Sequence, residues 1–277
     1  MIIDTHSHLQ FDAYKDDIEE VVKRTRSAGI LTINVGTQYE TSRKGVEFAE
    51  KYGEGFYAAI GLHPMYAAAE FIKLKHDPSE GTVGLETNFD KEKYKRLTLS
   101  GSRSVVAIGE IGLDYYYKPK TNTKLAEFKE KQKQVFLQQL ELAQELDLPV
   151  ILHCRMAHDD IIQILESRIT NYELRGVIHC FTGTLEQAKK YVEMGFYLGI
   201  NGIIFKFNID EVIKNISLEH LLLETDCPYL TPPQASEKRN EPIFIKHTIQ
   251  RIAELKGVAF EEVCDKTTKN AKSLFRI

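Results

Sequence analysis

Short apolar segments rich in β-branched residues alternate with segments of helical periodicity from one end of the chain to the other. The apolar segments predict eight strands, over residues 1–8, 31–36, 56–61, 105–111, 149–153, 176–179, 196–200 and 221–224. Amphipathic periodicity predicts helices between and after them, most clearly over residues 16–28, 39–52, 125–146, 159–168, 185–194 and 260–275. Such alternation is typical of α/β proteins with parallel strands.

The number of strands separates two α/β architectures. A doubly wound open sheet usually has about five or six strands, whereas eight strands, each followed by helix-compatible sequence, predict a (β/α)8 TIM barrel. The length of 277 residues fits one such domain, since the fold typically needs roughly 250 residues. We therefore expect a single barrel domain over residues 1–277.

One connection is longer than an ordinary βα unit. It covers about residues 65–104 and carries helix breakers at Pro78, Gly81 and Gly84. Long surface loops are well tolerated, so it is interpreted as a surface insertion with an extra helix. It also begins at the strand end that hosts barrel active sites, which makes a lid or substrate wall the alternative.

Composition limits the class of partner. Hydrophobic residues make up 43% of the chain and charged residues 27%, which suits a soluble domain with a sizeable core. The net charge of −4 provides no global basic field. A polyanionic partner such as nucleic acid must therefore be captured locally, by basic loops or by bound metal.

Compartment and membrane contact are addressed by other features. No apolar segment reaches the roughly 18 residues that cross a bilayer, and the polar, acidic beginning is unlike a secretory signal. The four cysteines show no CxxC spacing, which indicates free thiols in a reducing compartment. We expect a monomeric cytoplasmic protein with no membrane partner, with the nucleus open if the source is eukaryotic.

Two histidines close the first predicted strand, in the sequence Asp4-Thr5-His6-Ser7-His8. Residues two apart on a strand share a face, so we expect Asp4, His6 and His8 to point together into the barrel. Imidazoles are poor barrel filling, where branched apolar residues dominate. A shared metal ion is their simplest partner, and a pair of hydrogen-bonded core histidines is the alternative.

Metal-competent side chains also end other strands. Glu110 interrupts an apolar strand, where an unpaired carboxylate is costly and needs a cation or a proton. His153, His179 and Asp226 end strands five, six and eight. The carboxyl ends of barrel strands meet at one mouth, so we expect a metal site there formed by His6, His8, Glu110, His153, His179 and Asp226. This set exceeds what one tetrahedral ion takes from protein and suits two divalent ions bridged by a carboxylate.

Several stretches resemble the TatD family of metal-dependent deoxyribonucleases, within the amidohydrolase-like barrel superfamily. They are IDTHSHL (3–9), GLHP (61–64), AIGEIGLDYY (107–116), LPVILHCR (148–155), GVIHCFTGT (176–184), LLLETDCPYL (221–230), RNEP (239–242) and TTKNAKSLF (267–275). The similarity covers the whole chain in order. It departs from the family in the long connection, in Thr182 and Thr184 where serines are usual, and in Asn201, which replaces a common serine.

The resemblance implies how the ions are shared. His6 and His8 would hold the more buried ion together with Glu110, which would bridge both ions, and Asp226 would contact the same buried ion. His153 and His179 would hold the second ion. Mixed histidine and carboxylate ligands admit Mg, Mn or Zn.

The resemblance also implies catalytic and phosphate-binding roles. Beside Glu110, Asp226 would orient or deprotonate the attacking water, and Glu224 would act as a base or an orienting group, the alternative being a buried salt-bridged glutamate. The implied donors to substrate phosphates are His63, Arg155, Arg239 and Asn240. For Arg155 the alternative is an ordinary ion pair with Asp159 or Asp160.

The implied function is a metal-dependent deoxyribonuclease, a 3'-5' exonuclease favouring single-stranded ends of DNA, with RNA open as a substrate. The stretch 115–122 mixes tyrosines with lysines, which suits base stacking and phosphate contact, although a solvated loop would have the same composition. The alternative function is another hydrolase on the same barrel, acting on an aminoacyl-tRNA ester or a small amide or lactone. A binding barrel with a degenerate site is disfavoured, because all the candidate ligands are present.

Overall fold

The computed structural model describes residues 1–74, 77–81, 84–100, 104–169, 174–235 and 237–277. The described residues form one sheet of eight strands in chain order, and every neighbouring pair is parallel. The strands are β1 (Ile2–Ser7), β2 (Ile30–Val35), β3 (Phe56–Ile60), β4 (Val105–Asp114), β5 (Val150–Arg155), β6 (Gly176–Ile178), β7 (Tyr197–Ile200) and β8 (Leu221–Leu223). The predicted (β/α)8 barrel is confirmed.

The first and last strands close the barrel at their carboxyl ends. The backbone amide of Asp226 donates to the carbonyl of His6 at 2.8 Å, and the amide of His8 donates to the carbonyl of Cys227 at 2.9 Å. Ser7 and Cys227 form a parallel bridge. Closure therefore brings the end of β1 directly beside the segment that follows β8.

Helices connect the strands and cover the outside of the barrel. They are α1 (Ile18–Ser27), α2 (Tyr39–Tyr52), α3 (Pro64–Ala67), α4 (Lys91–Ser100), α5 (Asn122–Glu145), α6 (His158–Ile169), α7 (Leu185–Glu193), α8 (Asp210–Asn215), α9 (Ile245–Lys256) and α10 (Phe260–Phe275). The predicted bounds of α2 and α10 are confirmed. Local sequence sets some of the boundaries: Thr184 and Gln187 form a capping box at the start of α7.

Among the described residues the apolar core divides into three clusters, two of which make up most of it. The larger one lies between strands and helices and includes fully buried aromatic residues such as Phe128 and Phe196. The smaller one draws side chains from every strand, as the filling of a barrel does; its members include Ile3, Ile33, Ala59, Ala107, Ile151, Val177, Tyr197 and Leu222. Apolar residues thus occupy the lower barrel and leave the carboxyl end to polar side chains.

A β-bulge in β1 corrects the expected direction of Asp4. The four residues from Asp4 to Ser7 pair with only three, from Thr32 to Asn34, on β2, and such an extra residue reverses the alternation of side chains. The carboxylate of Asp4 accepts hydrogen bonds from the amide and hydroxyl of Thr225, at 2.9 and 2.6 Å. Asp4 therefore braces β8 and does not join the histidines.

Strand β4 extends to Asp114, three residues beyond the predicted end at 111. In the barrel, Gly112 has a φ of 139° and lies so close to β5 that a Cβ atom would be 2.1 Å from the His153 carbonyl oxygen. Pairing with β5 continues to Asp114 and Arg155.

The long connection after β3 contains the predicted extra helix, and its role as a lid or substrate wall stays a prediction. Helix α4 is the extra helix and packs against α2 and α5. Segment 77–81 instead lies against the barrel mouth: the Tyr229 hydroxyl donates to Asp77 at 2.9 Å, and the Tyr66 hydroxyl donates to Glu80 at 2.8 Å. Residues 75, 76, 82, 83 and 101–103 of the connection lie outside the described residues.

In the part of the chain that the structure describes, no helix combines the length and apolarity that a membrane crossing requires.

Candidate metal centre and active site

Histidines and carboxylates meet at the carboxyl end of the barrel. The Nε2 atoms of His6 and His8 are 3.2 Å apart, and Glu110 Oε2 lies 3.5 Å from His6 Nε2. Asp226 Oδ1 lies 3.4 Å from His8 Nε2 and 3.8 Å from His6 Nε2. The two histidines and Glu110 are at most 5% exposed.

The second oxygen of Glu110 faces another set of histidines. Its Oε1 atom is 2.6 Å from His153 Nδ1, 3.4 Å from His63 Nε2 and 4.0 Å from His179 Nε2. Glu110 therefore lies between two histidine sets, with one oxygen towards each. The described residues that could hold an ion form three overlapping groups: His6, His8, Glu110; His6, His179, Asp226; and His63, Glu110, His153.

This geometry differs in one respect from the sharing that the family resemblance implied. His179 was expected beside His153, but its ring stacks on that of His6, with centroids 3.5 Å apart. Its Nε2 atom is 3.9 Å from Asp226 Oδ1. The ring of His63 instead lies 4.3 Å from that of His153. His179 therefore lies between the two sets, near His6 and Asp226 but also 4.0 Å from the Glu110 oxygen that faces His153, and His63 lies beside His153.

The donor chemistry fits a divalent cation. His8 Nδ1 is 2.7 Å from the carbonyl oxygen of Val35, so the ring proton is on Nδ1 and the Nε2 lone pair faces the site, as in many metal-binding histidines. Burial lowers the pKa of His6 to about 4, so this imidazole is neutral, the form that binds metal. A tetrahedral ion with bonds of about 2.0–2.1 Å holds two nitrogens about 3.3 Å apart, close to the separation of these Nε2 atoms.

Neighbouring carboxylates also favour the protonated forms of two other histidines at the site, His153 and His179. Burial opposes a charged imidazole, but Asp114 and Glu110 raise the pKa of His153 to about 10. Burial also opposes charge on His179, but Glu224, Asp226 and Glu110 together raise the pKa of His179 to about 9. The centre therefore favours positive charge, and a bound cation would displace these protons.

Asp114 is a site residue that the sequence analysis missed. Its Oδ2 atom is 3.1 Å from His153 Nε2, and the residue is 1% exposed. A carboxylate on the far nitrogen of a histidine fixes the orientation and tautomer of the ring. The signal was present, since Asp114 follows Glu110 by four residues within the motif AIGEIGLDYY, but the residue was placed beyond the end of its strand.

Glu224 has the corresponding position beside His179. Its Oε1 atom lies 3.0 Å from His179 Nδ1 and accepts hydrogen bonds from the Cys180 amide at 2.7 Å and the Asn201 side chain at 2.9 Å. The carboxylate is fully buried and belongs to none of the three ligand groups among the described residues. Its contacts favour the orienting role over that of a base, and Asn201 supplies an amide donor that a serine lacks.

His63 is positioned by a helix start. Its Nδ1 atom accepts a hydrogen bond from the Met65 amide at 3.1 Å, with Pro64 at the first position of α3. Because Nδ1 accepts, the proton of a neutral ring is on Nε2, which points towards Glu110. An Nε2–H group is suited to donate to a phosphate oxygen, the role expected from the resemblance.

Arg155 lies at the rim, and the expected alternative for it does not form. Asp160 pairs with Lys133 at 3.0 Å, and Asp159 accepts a hydrogen bond from Gln187 at 2.9 Å. The guanidinium of Arg155 lies over the ring of Tyr116, 3.7 Å from its centroid. Arg155 is exposed, so its donors can reach a bound phosphate.

The geometry of Arg239 and Asn240 does not support their expected contact with phosphate. Arg239 donates to both oxygens of Asp17, at 2.7 and 2.6 Å, and to Glu241 at 3.0 Å. The Asn240 side chain is 1% exposed and donates to the carbonyls of Thr225 and Tyr229. These protein partners already occupy the donors, so we assign both residues to holding the loop after β8.

Substitution of Arg239 by Lys tests this assignment. A lysine cannot reproduce the forked contact with Asp17, and because the pair is partly exposed we expect a loss of about 1 kcal/mol in the free energy of unfolding. The melting temperature should fall by roughly 2–4 °C, with KM unchanged. A tenfold higher KM at unchanged stability would contradict this assignment and indicate that Arg239 binds phosphate.

The barrel and its polar mouth define the class of protein: an α/β barrel with a candidate metal centre of histidines and carboxylates at the strand carboxyl ends. The family model described as TatD related DNase matches residues 3–276. The chain therefore belongs to the TatD family, a family of metal-dependent hydrolases, as its sequence motifs predicted.

Individual relatives agree with this membership over their full lengths. The uncharacterized metal-dependent hydrolase YabD of Bacillus subtilis is 40% identical, with all of both chains aligned. The 3'-5' ssDNA/RNA exonuclease TatD of Pantoea ananatis is 32% identical over 99% of each chain. Among solved structures, YjjV, a TatD homologue of Escherichia coli, superposes with a TM-score of 0.81 at 30% identity, covering 100% of this chain and 98% of its own.

Proposed function

We propose that this protein is a metal-dependent 3'-5' exonuclease acting on single-stranded ends of DNA or RNA. The observation that carries the proposal is the position of Glu110, whose two oxygens face two separate histidine sets. That arrangement suits two ions sharing one carboxylate, the site that phosphodiester cleavage often uses. The relatives named as exonucleases support the choice of substrate.

The residues would divide the metal centre between them. His6, His8 and Glu110 would hold one ion, and Glu110 with His153 would contribute to the other. Ions bound there would activate water and offset the charge of the phosphate. Asp226 lies within 4 Å of both His8 and His179 and is the most exposed of the clustered carboxylates, so it would accept the proton of the attacking water.

Other side chains would bind the substrate. The Nε2–H of His63 faces the centre from β3 and would donate to a nonbridging phosphate oxygen. Arg155 would contact the same or the next phosphate from the rim of β5. Donors that are fixed before the reaction stabilise negative charge as it develops, with little reorganisation.

Removing and restoring metal tests this function. After chelation we expect release of nucleotides from an end-labelled single strand to fall at least about 100-fold, since the reaction depends on the ions. The melting temperature should fall by roughly 5–15 °C, because ligand present at about 100- to 1000-fold its Kd stabilises the folded state by about 3–4 kcal/mol. Adding back Mg, Mn and Zn separately should identify the ion that restores both.

The substrates are chosen to separate the alternatives. A circular single strand, a blunt duplex, a single-stranded RNA and an aminoacyl-tRNA would be assayed beside the labelled strand. Cleavage of the linear strands alone supports an exonuclease. Metal-dependent hydrolysis of the aminoacyl ester without cleavage of any strand would replace the proposal with the esterase alternative.

A further inference from the structure

Exposed aromatic rings and a cation meet at the rim where β4 and β5 end. Tyr116 and Tyr117 follow β4 and are 49% and 56% exposed. Their rings meet edge to face, with centroids 4.8 Å apart. The guanidinium of Arg155 covers Tyr116 at 3.7 Å and lies 5.9 Å from the ring centroid of Tyr117. Large apolar rings left at a functional mouth indicate a surface for a ligand.

The aromatic cluster is tied to the candidate metal centre through one carboxylate. Asp114 Oδ1 accepts a hydrogen bond from the Tyr116 amide at 2.8 Å, while its Oδ2 lies 3.1 Å from His153 Nε2. The Tyr115 amide donates to the carbonyl of Arg155 at 2.9 Å. Backbone and carboxylate contacts thus fix the rings relative to the site of cleavage, as a binding platform requires.

Charge distinguishes this side of the mouth from the opposite side. Lys118 and Lys120 are exposed and follow the tyrosines directly. Across the mouth, segment 77–81 presents the partly exposed carboxylate of Asp77, which accepts a hydrogen bond from Tyr229 after β8 at 2.9 Å. A polyanionic strand is attracted to the lysines and repelled by the Asp77 carboxylate, so it passes over the ends of β4 and β5.

We propose that Tyr116, together with Tyr117 and Arg155, forms a stacking platform for the base of a nucleotide beside the cleaved bond. This inference rests on the proposed function. Aromatic rings accept any base, because every base has a π face, but a base in a duplex must first leave its pair and its stack. The platform therefore selects single-stranded ends without selecting sequence.

Fluorescence of a base analogue reads the contact without turnover. Single-stranded oligonucleotides carry 2-aminopurine at the first, second or third position from the 3' end, with phosphorothioate linkages there to slow cleavage. Stacking on Tyr116 should quench the fluorescence at one position when the metal-loaded protein binds. Tyr116→Leu should remove that quenching. Tyr57→Leu is the matched control, because Tyr57 lies on β3 at the opposite, amino end of the barrel.

Kinetics on an abasic strand test the same contact during the reaction. On an intact strand we expect Tyr116→Leu to lower kcat/KM by about 5- to 150-fold, the usual value of one base–aromatic stack. Removing the base at the quenched position should cost the wild type a similar factor. It should cost Tyr116→Leu nothing further, because both changes remove the same interaction.

The outcomes separate the platform from the reaction. Quenching that persists in Tyr116→Leu, or an abasic penalty equal in wild type and variant, would overturn the platform. Quenching by a wild type that releases no nucleotides would leave the platform and reject the exonuclease. A wild type that releases nucleotides without quenching at any position would reject only the platform.

Discussion

Glu110→Gln is expected to reduce turnover by at least about 10³-fold, because the loss of a ligand shared by two ions forfeits several kcal/mol of charge stabilisation. The substitution keeps the shape of the side chain but removes the charge that faces His6 at 3.5 Å and His153 at 2.6 Å. Metal content should fall as well. Turnover would be measured on an end-labelled single strand, and bound metal by elemental analysis of the dialysed protein.

Glu241→Gln is the matched control for this loss of charge. Glu241 is as buried as Glu110, each being 5% exposed, but it pairs with Arg24 and Arg239 away from the metal centre. We expect its substitution to lower the melting temperature and to leave turnover and metal content unchanged. Wild-type turnover in Glu110→Gln would remove the shared carboxylate from the mechanism.

The fold and the core of the site were predictable from local signals. Parallel barrel strands end at one mouth, so the histidines and carboxylates that close β1, β4, β5, β6 and the loop after β8 had to meet. Apolar periodicity identified those ends. Neither inference required knowing which side chains touch.

The features of the site that the sequence did not predict depend on single backbone irregularities and on contacts between residues far apart in the chain. The bulge between Asp4 and Ser7 reverses which side of the sheet the side chains face, and no residue in the motif predicts it. Asp114 joins the site because β4 continues past Gly112 along β5, a pairing that exists only in the folded sheet. Arg239 has the sequence position of a phosphate-binding residue, but its guanidinium donates to Asp17, 222 positions away in the chain.

The sequence also did not predict which ring nitrogen of each histidine carries the proton. His63 and His8 are both histidines near a mouth, yet one accepts from an amide through Nδ1 and the other faces a carbonyl. These backbone partners decide that His63 presents a donor and His8 a lone pair. The difference in role therefore comes from the local backbone at the end of each strand, which residue type does not encode.

Asp226→Asn is expected to lower kcat by about 10² to 10⁴-fold, the usual contribution of a general base, while metal content changes little. Asn cannot accept the proton, but it keeps the backbone. Asp226 has a φ of 56°, a left-handed conformation that Asn adopts readily and Ala does not. The Asn variant therefore tests the carboxylate alone, whereas Ala would add backbone strain.

Asp147→Asn supplies the control, because Asp147 also has a positive φ, 50°, and pairs with Arg175 at the amino end of the barrel. The same atoms change there in the same backbone conformation, so any effect of the substitution that acts through the backbone is common to both variants. A drop in kcat confined to Asp226→Asn with metal retained would assign proton transfer to this residue. If Asp226→Asn and Glu110→Gln lose metal equally, the main role of Asp226 would be metal binding and not proton transfer. In that case the ion held by His6 and His179 would also depend on the Asp226 carboxylate.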